Sequence, residues 1–363
     1  MLLSNEFSPD VRVEKEAIAL AEAGYGVRII AWDRRGSGVV EQKEMNFSIR
    51  RLQAGRFKRK EGLLIGFPLF GVLSLIQGLR EGYDVVHSHD LDTLFQGVLL
   101  SKLKGVPLVY DAHEHYALMI EQDLPHWIAR FVDKLELAIV GNVDLVIAAN
   151  VKIAEYLAPR SKKMAVVMNC AEVTNHSSAR ERGRDGPLTL FYAGSLEPLR
   201  YIEELMHSVS NHEGLELRIA GTGSLQGQVE AMAKVNPNIR YSGRLTREEV
   251  ANEVANADAI IALLDPSNGN NRIGTPNRLF EAMVAGVPVL VSAGTLSAEI
   301  VQECGCGIVL DWSQENFMKA IDELKVERTE GKMAERGLNA SKRYNWDRMR
   351  RVLIDAYRGM FGQ

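Results

Sequence analysis

The sequence predicts an α/β protein built from two doubly wound, Rossmann-like domains facing a central cleft, and three observations predict it. Short apolar strand-like runs alternate with helix-like runs along the whole 363 residues, the pattern of parallel sheets covered by helices. A polar, charged stretch without apolar period, AEVTNHSSARERGRDGP (171–187), interrupts that alternation near the middle and reads as a linker. The length exceeds one average domain and favours two.

The first strand is MLLS. It is short enough to suggest a weak sheet edge or a clipped start. VEKEAIALAEAG follows as a helix, with Val13, Ala17, Leu20 and Ala21 on one stripe and Gly24 at its end. VRIIAW (27–32), DVVHSH (84–89), PLVYDAH (107–113), DLVIAAN (144–150) and MAVVMN (164–169) read as the remaining strands of the first half. Between the first two of these, Arg50, Arg51, Arg56, Lys58, Arg59 and Lys60 precede the apolar run LLIGFPLFGVLSLIQGL (63–79). That run falls short of the roughly 20 residues a membrane span needs. It predicts a core-facing helix from Pro68, with Leu69, Val72, Leu73, Ile76 and Leu79 turned inward. The alternative is a peripheral contact in which the basic cluster meets an anionic membrane.

After the linker, LTLFYAG, ELRIAG, IRYSG, DAIIAL, VPVLVSA and GIVL continue the alternation. The expected division is residues 1–169, a linker over 170–187, a second domain over 188–340 and a closing helix over 341–363. In the tail NWDRMRRVLIDAY, the positions Trp346, Met349, Val352, Leu353 and Tyr357 recur at helical spacing, so this helix should pack on something. With such sheets, ligands are expected at the carboxyl ends of the strands.

A composition of 46% hydrophobic and 25% charged residues with a formal charge of -4 argues against a general nucleic-acid binder. Cys170, Cys304 and Cys306 make no disulfide framework, and CGC lacks zinc spacing. A reducing cytoplasmic setting, with contact at the inner face of the membrane as an option, is therefore the expectation. MLLSNEFSPD shows neither a basic lead nor a long apolar run, so no secretory signal is expected.

IGTPNRLFEAMVAGVPVL (273–290) is the most informative stretch. Thr275 suits an N-cap and Pro276 the first helical position. Asn277 and Glu281 then share one face, Leu279, Ala282 and Met283 turn toward the core, and Gly286 closes the helix before a buried strand. A helix start suits a diphosphate, and a carboxylate one turn further in can accept hydrogen bonds from a ribose.

Taken together, these blocks resemble the nucleotide-sugar glycosyltransferases of family 4. FYAGSLEPLRYIEELM, RIAGTGSLQGQVEAM, YSGRLTREEVANEVANADAIIALLDPS and TPNRLFEAMVAGVPVL carry the likeness in the second half. SPDVRVEKEAIALAEAGYGVRIIAWDR, DVVHSHDLDTL, VPLVYDAHEHY and VVMNC carry it in the first. The resemblance implies the GT-B fold, with an acceptor-binding domain, a donor-binding domain and a closing helix that returns to the first. It implies transfer from a nucleoside-diphosphate sugar to a glycan, lipid-linked or small-molecule hydroxyl acceptor, with retention; the sequence shows no metal-ligand cluster, so no metal or other cofactor is expected. Carried over, Gly194 and Ser195 form the donor phosphate loop, Arg200 takes charge on the leaving diphosphate, and Gly221 and Gly223 form a second Gly-rich turn. Arg244 and Leu245 hold the base, Thr275, Pro276, Asn277 and Arg278 open the phosphate-facing helix, and Glu281 binds ribose. His113, at a strand end, lies near the transferred sugar, and Arg12, His89 and Asp90 are acceptor-side candidates.

The chain also departs from that pattern. The family's second glutamate, eight positions before Glu281, is Ile273 here, so its contact must come from Asn271, Arg272 or amides near Gly274. Ser195 stands where many members have Arg, and Arg278 could replace that cation. The paired glycines of the first loop are absent, leaving PDVRV. Two rival readings follow: an epimerase on the same fold, or a non-catalytic partner subunit with a decayed site.

Overall fold

A computed structural model describes residues 1–7, 10–34, 36, 40–44, 46–55, 60–121, 124–173 and 186–362. The chain forms two compact units, Met1–Asn169 with Met349–Gln363, and Cys170–Arg348. Most of the linker, with Arg56, Lys58 and Arg59 of the basic cluster, lies outside the described residues.

Unit 1 runs β1 (Leu2–Leu3), α1 (Val11–Glu22), β2 (Val27–Trp32), β3 (Glu41–Lys43), β4 (Phe47–Leu52), α2 (Lys60–Arg80), β5 (Val86–His89), α3 (Asp90–Lys104), β6 (Leu108–Ala112), α4 (Tyr116–Ile120), α5 (His126–Val140), β7 (Leu145–Ala148), α6 (Val151–Leu157) and β8 (Met164–Val166). Its sheet has the order β3-β4-β2-β1-β5-β6-β7-β8, parallel except where β3 pairs with β4. The chain winds outward from β1 in one direction and from β5 in the other, so the switch point falls between them.

Several sequence expectations need correction here. The two residues of β1 lie in the middle of the sheet, with β2 on one side and β5 on the other. Their length reflects this central, fully buried setting, and the weak-edge expectation fails. Strands β3 and β4 were not foreseen. Arg50 and Arg51 belong to β4, and Arg51 is buried with its guanidinium donating to the carbonyls of Glu6 and Phe7. The apolar helix begins at Lys60, with Pro68 inside it. Its buried face carries Phe70, Gly71, Ser74 and Gly78, whereas Leu69, Val72, Ile76 and Leu79 are exposed. Of the expected inward stripe only Leu73 turns toward the core, where it packs near Trp32 and Phe70; the others face outward.

Unit 2 runs β9 (Leu188–Ala193), α7 (Ile202–Ser210), β10 (Leu215–Ala220), α8 (Gln226–Val235), β11 (Ile239–Tyr241), α9 (Arg247–Asn256), β12 (Ala259–Ala262), α10 (Gly269–Ile273), α11 (Asn277–Ala285), β13 (Val289–Ser292), α12 (Leu296–Cys304), β14 (Gly307–Leu310), α13 (Gln314–Glu330) and α14 (Lys332–Ser341). Its sheet is wholly parallel, in the order β11-β10-β9-β12-β13-β14, with the switch point between β9 and β12. The core is aliphatic: Leu188, Leu190, Leu217, Ile219 and Ile261 of the sheet meet Leu205 and Val209 of α7 and Phe317 and Ile321 of α13.

The last helix, α15 (Trp346–Phe361), contributes its residues from Met349 onward to unit 1. There Leu353 and Tyr357 are buried, and the Tyr357 hydroxyl lies 2.6 Å from His87 Nδ1. No helix among the described residues is long and apolar enough to cross a membrane.

Candidate active site

In unit 2 several of the sequence-predicted residues lie at the carboxyl ends of β9, β10 and β11, on one side of the switch point. Gly194 and Ser195 follow β9, Gly221 and Gly223 follow β10, and Arg244 and Leu245 follow β11. Backbone bonds tie these loops together: Gly194 N donates to Ala220 O (3.1 Å), Leu196 N to Thr222 O (2.9 Å) and Gly221 N to Gly243 O (2.7 Å). Two of the glycines are demanded by this packing. Gly221 has φ +137°, and a Cβ there would stand 1.8 Å from Gly194 O; a Cβ at Gly223 would stand 2.3 Å from Leu196 O. Gly194 differs. A Cβ there would meet only the Tyr192 ring and hydroxyl, at 3.4 Å or more, which is ordinary contact.

Arg200 sits in the β9–α7 loop between two non-glycine residues in the left-handed region, Leu199 (φ 63°) and Tyr201 (φ 54°). Such backbone costs on the order of 1–3 kcal/mol per residue and persists only where surroundings enforce it. Here the enforcement comes from the β12–α10 loop: Asp265 N donates to Leu199 O at 2.9 Å, and Asn271 Nδ2 to the same carbonyl at 3.3 Å. Tyr201 stacks on Trp312 with ring centres 5.1 Å apart. The Arg200 guanidinium lies beside the Tyr192 hydroxyl; burial pushes that phenol up and Arg200 opposes the shift.

Helix α11 starts one residue later than expected. Pro276 has an extended ψ of 140°, so it is the cap residue, not the first helical one, and Thr275 provides no cap. No side chain caps α11, α7 or α8, whereas Thr246, Thr295 and Ser313 cap α9, α12 and α13. Leu279, Phe280, Ala282 and Met283 are buried, and Gly286 ends the helix in the left-handed conformation, as the sequence implied. Glu281 is half-buried and pairs with Arg278 on the same helix face. Burial brings the Arg278 pKa down to about 10. Of the stand-ins for the missing glutamate, Asn271 has both amide hydrogens engaged, by Leu199 O and Asp265 O, and Arg272 is exposed.

In unit 1 the structure brings Arg12, His89, Asp90 and His113 around a residue not foreseen as their centre, Asp111. Arg12 donates from Nε and Nη2 to the two Asp111 oxygens (2.9 and 2.5 Å) and from Nη1 to Val167 O (2.6 Å). It is buried, so the expectation that it meets an anionic acceptor is replaced by a structural role. His89 is also buried, with Nδ1 3.1 Å from Asp111 Oδ2, so it does not line an acceptor surface. Burial would push Asp111 up, but Arg12, His113 and His89 hold it well below the carboxylate range. The signal for this centre was present in the sequence: an Asp inside the buried strand β6 needs a cation.

His113 lies at the end of β6 with Nε2 2.8 Å from Asp111 Oδ2 and Nδ1 3.3 Å from Asp90 Oδ2. Burial lowers its pKa, but Asp90 and Asp111 outweigh that and bring it up to about 10. The ring is therefore an imidazolium with both N–H groups directed at carboxylates. Asp90, at φ 59°, also accepts from the His113 backbone N–H, and burial brings its carboxyl up to about 7.

Glu16 and His87, missed from sequence, complete this cluster. Among the described residues, Glu16, His87, His89 and Asp111 bring possible metal-ligand atoms within 4.8 Å of one another. The Arg12 guanidinium already lies on Asp111 and 3.2 Å from Glu16, so a metal ion would compete with it for the same carboxylates.

With this geometry in place, comparison with known proteins gives a consistent result. Residues 9–170 match the model of the glycosyl transferase 4-like domain and residues 187–325 that of glycosyl transferases group 1. The chain belongs to the family 4 glycosyltransferases. It is 27% identical over 222 residues to a glycogen synthase of Mycobacterium tuberculosis, covering 58% of this chain and 52% of that protein. The chain thus spans about half the length of that relative. It is 24% identical to a D-inositol 3-phosphate glycosyltransferase of Corynebacterium kroppenstedtii, covering 96% of this chain and 84% of the other. Among solved structures, a sucrose-phosphate synthase from Thermosynechococcus elongatus superposes with a TM-score of 0.80 at 18% identity, over 99% and 98% of the two chains. Anabaena HepE in complex with UDP-glucose does so with 0.70 at 14%, over 99% and 98%. The fold is GT-B.

Proposed function

We propose that the protein moves a sugar from a nucleoside-diphosphate sugar to a hydroxyl acceptor, with retention of anomeric configuration and without a metal ion. The observation that carries this reading is Arg200, held between two left-handed residues at the carboxyl end of β9. Enforced strain at a strand end beside the switch point marks a cation placed for a ligand. The start of α11, which no side chain caps, adds a positive helix end suited to a diphosphate, and the Gly194 loop lets backbone approach it. Glu281 then accepts from ribose hydroxyls, with Arg278 balancing its charge, and Arg244 and Leu245 border the base. That HepE carries UDP-glucose on the same fold supports a nucleotide-sugar donor.

In this reaction the bond from the anomeric carbon to the diphosphate oxygen breaks, and the acceptor oxygen bonds to the same face of that carbon. The acceptor proton passes to the departing diphosphate. His113 has both ring nitrogens within reach of the Asp90 and Asp111 carboxylates, so it is held in place by them rather than aimed at the acceptor proton. Arg200 and the α11 amides stabilise the negative charge as it develops, which is where electrostatic catalysis acts. Among the hydroxyl acceptors, glycans and lipid-linked glycans are as compatible with this scheme as small molecules.

The test is a panel of nucleoside-diphosphate sugars with candidate acceptors, read by nucleoside diphosphate release. Release that requires acceptor, survives a chelator and gives a product of unchanged anomeric configuration by NMR is expected. Turnover without acceptor would indicate the epimerase alternative, and loss of turnover on chelation would overturn the leaving-group account.

A further inference from the structure

Three helices of unit 1 lie side by side: α2 packs on α3, and α3 on α5. Glycines let α2 approach closely, since a Cβ at Gly71 would meet Gln96 Nε2 at 2.9 Å and one at Gly78 would meet Leu100 Cδ1 at 2.7 Å. The outward side of this layer is apolar. On α2, Ile65, Leu69, Val72 and Ile76 are exposed; on α3, Phe95 and Leu103 are. On α5 the residues Trp127 (72% exposed), Phe131 and Leu135 follow one another at helical spacing. Single exposed apolar residues are unremarkable, but a face shared by three neighbouring helices marks an interaction surface.

Within these helices the exposed charges have one sign, and the nearby exposed Glu121 is paired with His126. Arg80, Lys102, Lys104, Arg130 and Lys134 are exposed, and from Ile65 onward no Asp or Glu of these helices is. Their acids turn inward or are paired: Asp92 accepts from Ser4 and Tyr116, Asp133 from Tyr156, and Glu136 from Tyr110. The whole chain carries a formal charge of -4, so this patch is no consequence of overall composition.

We propose that the α2–α3–α5 face of unit 1 docks on a bilayer containing anionic lipid, with the apolar side chains in the interfacial region and the arginines and lysines at the headgroups. An aromatic and aliphatic face with basic residues interleaved is the chemistry of surface-lying helices. A second copy of the chain is disfavoured as the occupant, because a two-fold contact sets the cationic patch against itself. The sequence alone had placed such a contact on the basic cluster of residues 50–60 with part of the apolar run 63–79; that run is α2 of this face, whereas Arg50 and Arg51 belong to β4. This surface is independent of the donor site, so either reading can fail without the other.

The experiment is co-sedimentation of the full chain with vesicles of phosphatidylcholine alone and of phosphatidylcholine mixed with phosphatidylglycerol. Binding at least about tenfold stronger to the mixed vesicles, weakened by salt, is expected. Trp127 fluorescence should shift to the blue on the mixed vesicles and lose that shift in Trp127→Phe. Arg130→Glu with Lys134→Glu should weaken binding about tenfold at an unchanged unfolding midpoint, and Lys102→Glu provides an independent variant on α3. Absence of binding, equal binding to neutral vesicles, or a dimer abolished by Trp127→Ala would overturn the proposal.

Discussion

The two units treat their polar groups in opposite ways. In unit 1, Arg12, Asp111, His113 and Asp90 satisfy one another, so the cluster is a closed ionic network at the carboxyl ends of β5 and β6. In unit 2, Arg200 is presented by a strained loop, and the helices α7, α8 and α11 begin without side-chain caps. Both regions sit at the switch points of parallel sheets. The lesson is that location alone does not separate scaffold from binding site; what separates them is whether the protein itself supplies the partners.

Breaking the closed network should have the largest effect. Asp111→Ala leaves the buried Arg12 without its main counter-charge and the half-buried His113 with Asp90 alone, and a loss of about 3–5 kcal/mol is expected from urea unfolding. Arg200→Ala should lower turnover by about 10²–10³-fold while leaving the urea midpoint unchanged or higher, since it removes charge stabilisation and no fold contact of comparable weight. Glu281→Gln should weaken donor binding by about 1.5–3 kcal/mol, the range for hydrogen bonds to a charged group, in calorimetric titration.

The glycines sharpen the contrast inside unit 2. Gly221→Ala drives a Cβ into Gly194 O and should destabilise the fold, whereas Gly194→Ala meets only ordinary contact and should fold normally but bind nucleoside diphosphate more weakly. If Gly194→Ala bound as well as the parent, the loop would be packing alone.

The pH dependence is the smallest effect per measured step, read one pH unit at a time. His113 in the folded protein titrates at about 10, above its ordinary 6.5. Its stabilising contribution is complete below about 6.5 and disappears as pH rises through about 10, because in between only the folded state holds the proton. The unfolding free energy should fall by up to about 1.4 kcal/mol per pH unit across that window. Asp90 extends the same downward trend to lower pH, because its carboxyl, raised to about 7, holds a proton in the folded state over the range where the unfolded chain has lost it. The slope above pH 7 should flatten in His113→Asn.

Much of the fold was legible because its strands are short, apolar and bounded by turn residues. Strand β2 falls on VRIIAW residue for residue, β9 and β12 lie within their expected runs, and β10 begins one residue before its run, at Leu215. Strand β4 was not legible, since FSIRRL is a half-buried strand whose arginines read as part of a charge run. Helix α2 is apolar almost all round, which leaves its inward face undetermined by pattern, and that face is set by Gly71 and Gly78 against α3. Around the site, the α11 motif was readable from local spacing and erred by one residue where Pro276 stays extended. The role of Arg12 was not readable, because its partner Asp111 lies 99 residues away in sequence.

The most direct test of the central claim is titration of the full chain with UDP, GDP, ADP and CDP by calorimetry, in parent and Arg200→Ala protein. At least one nucleoside diphosphate should bind the parent without added metal and bind Arg200→Ala about tenfold or more weakly, a loss of about 1.4 kcal/mol or more. Equal affinity in the two proteins, or binding to neither, would contradict it.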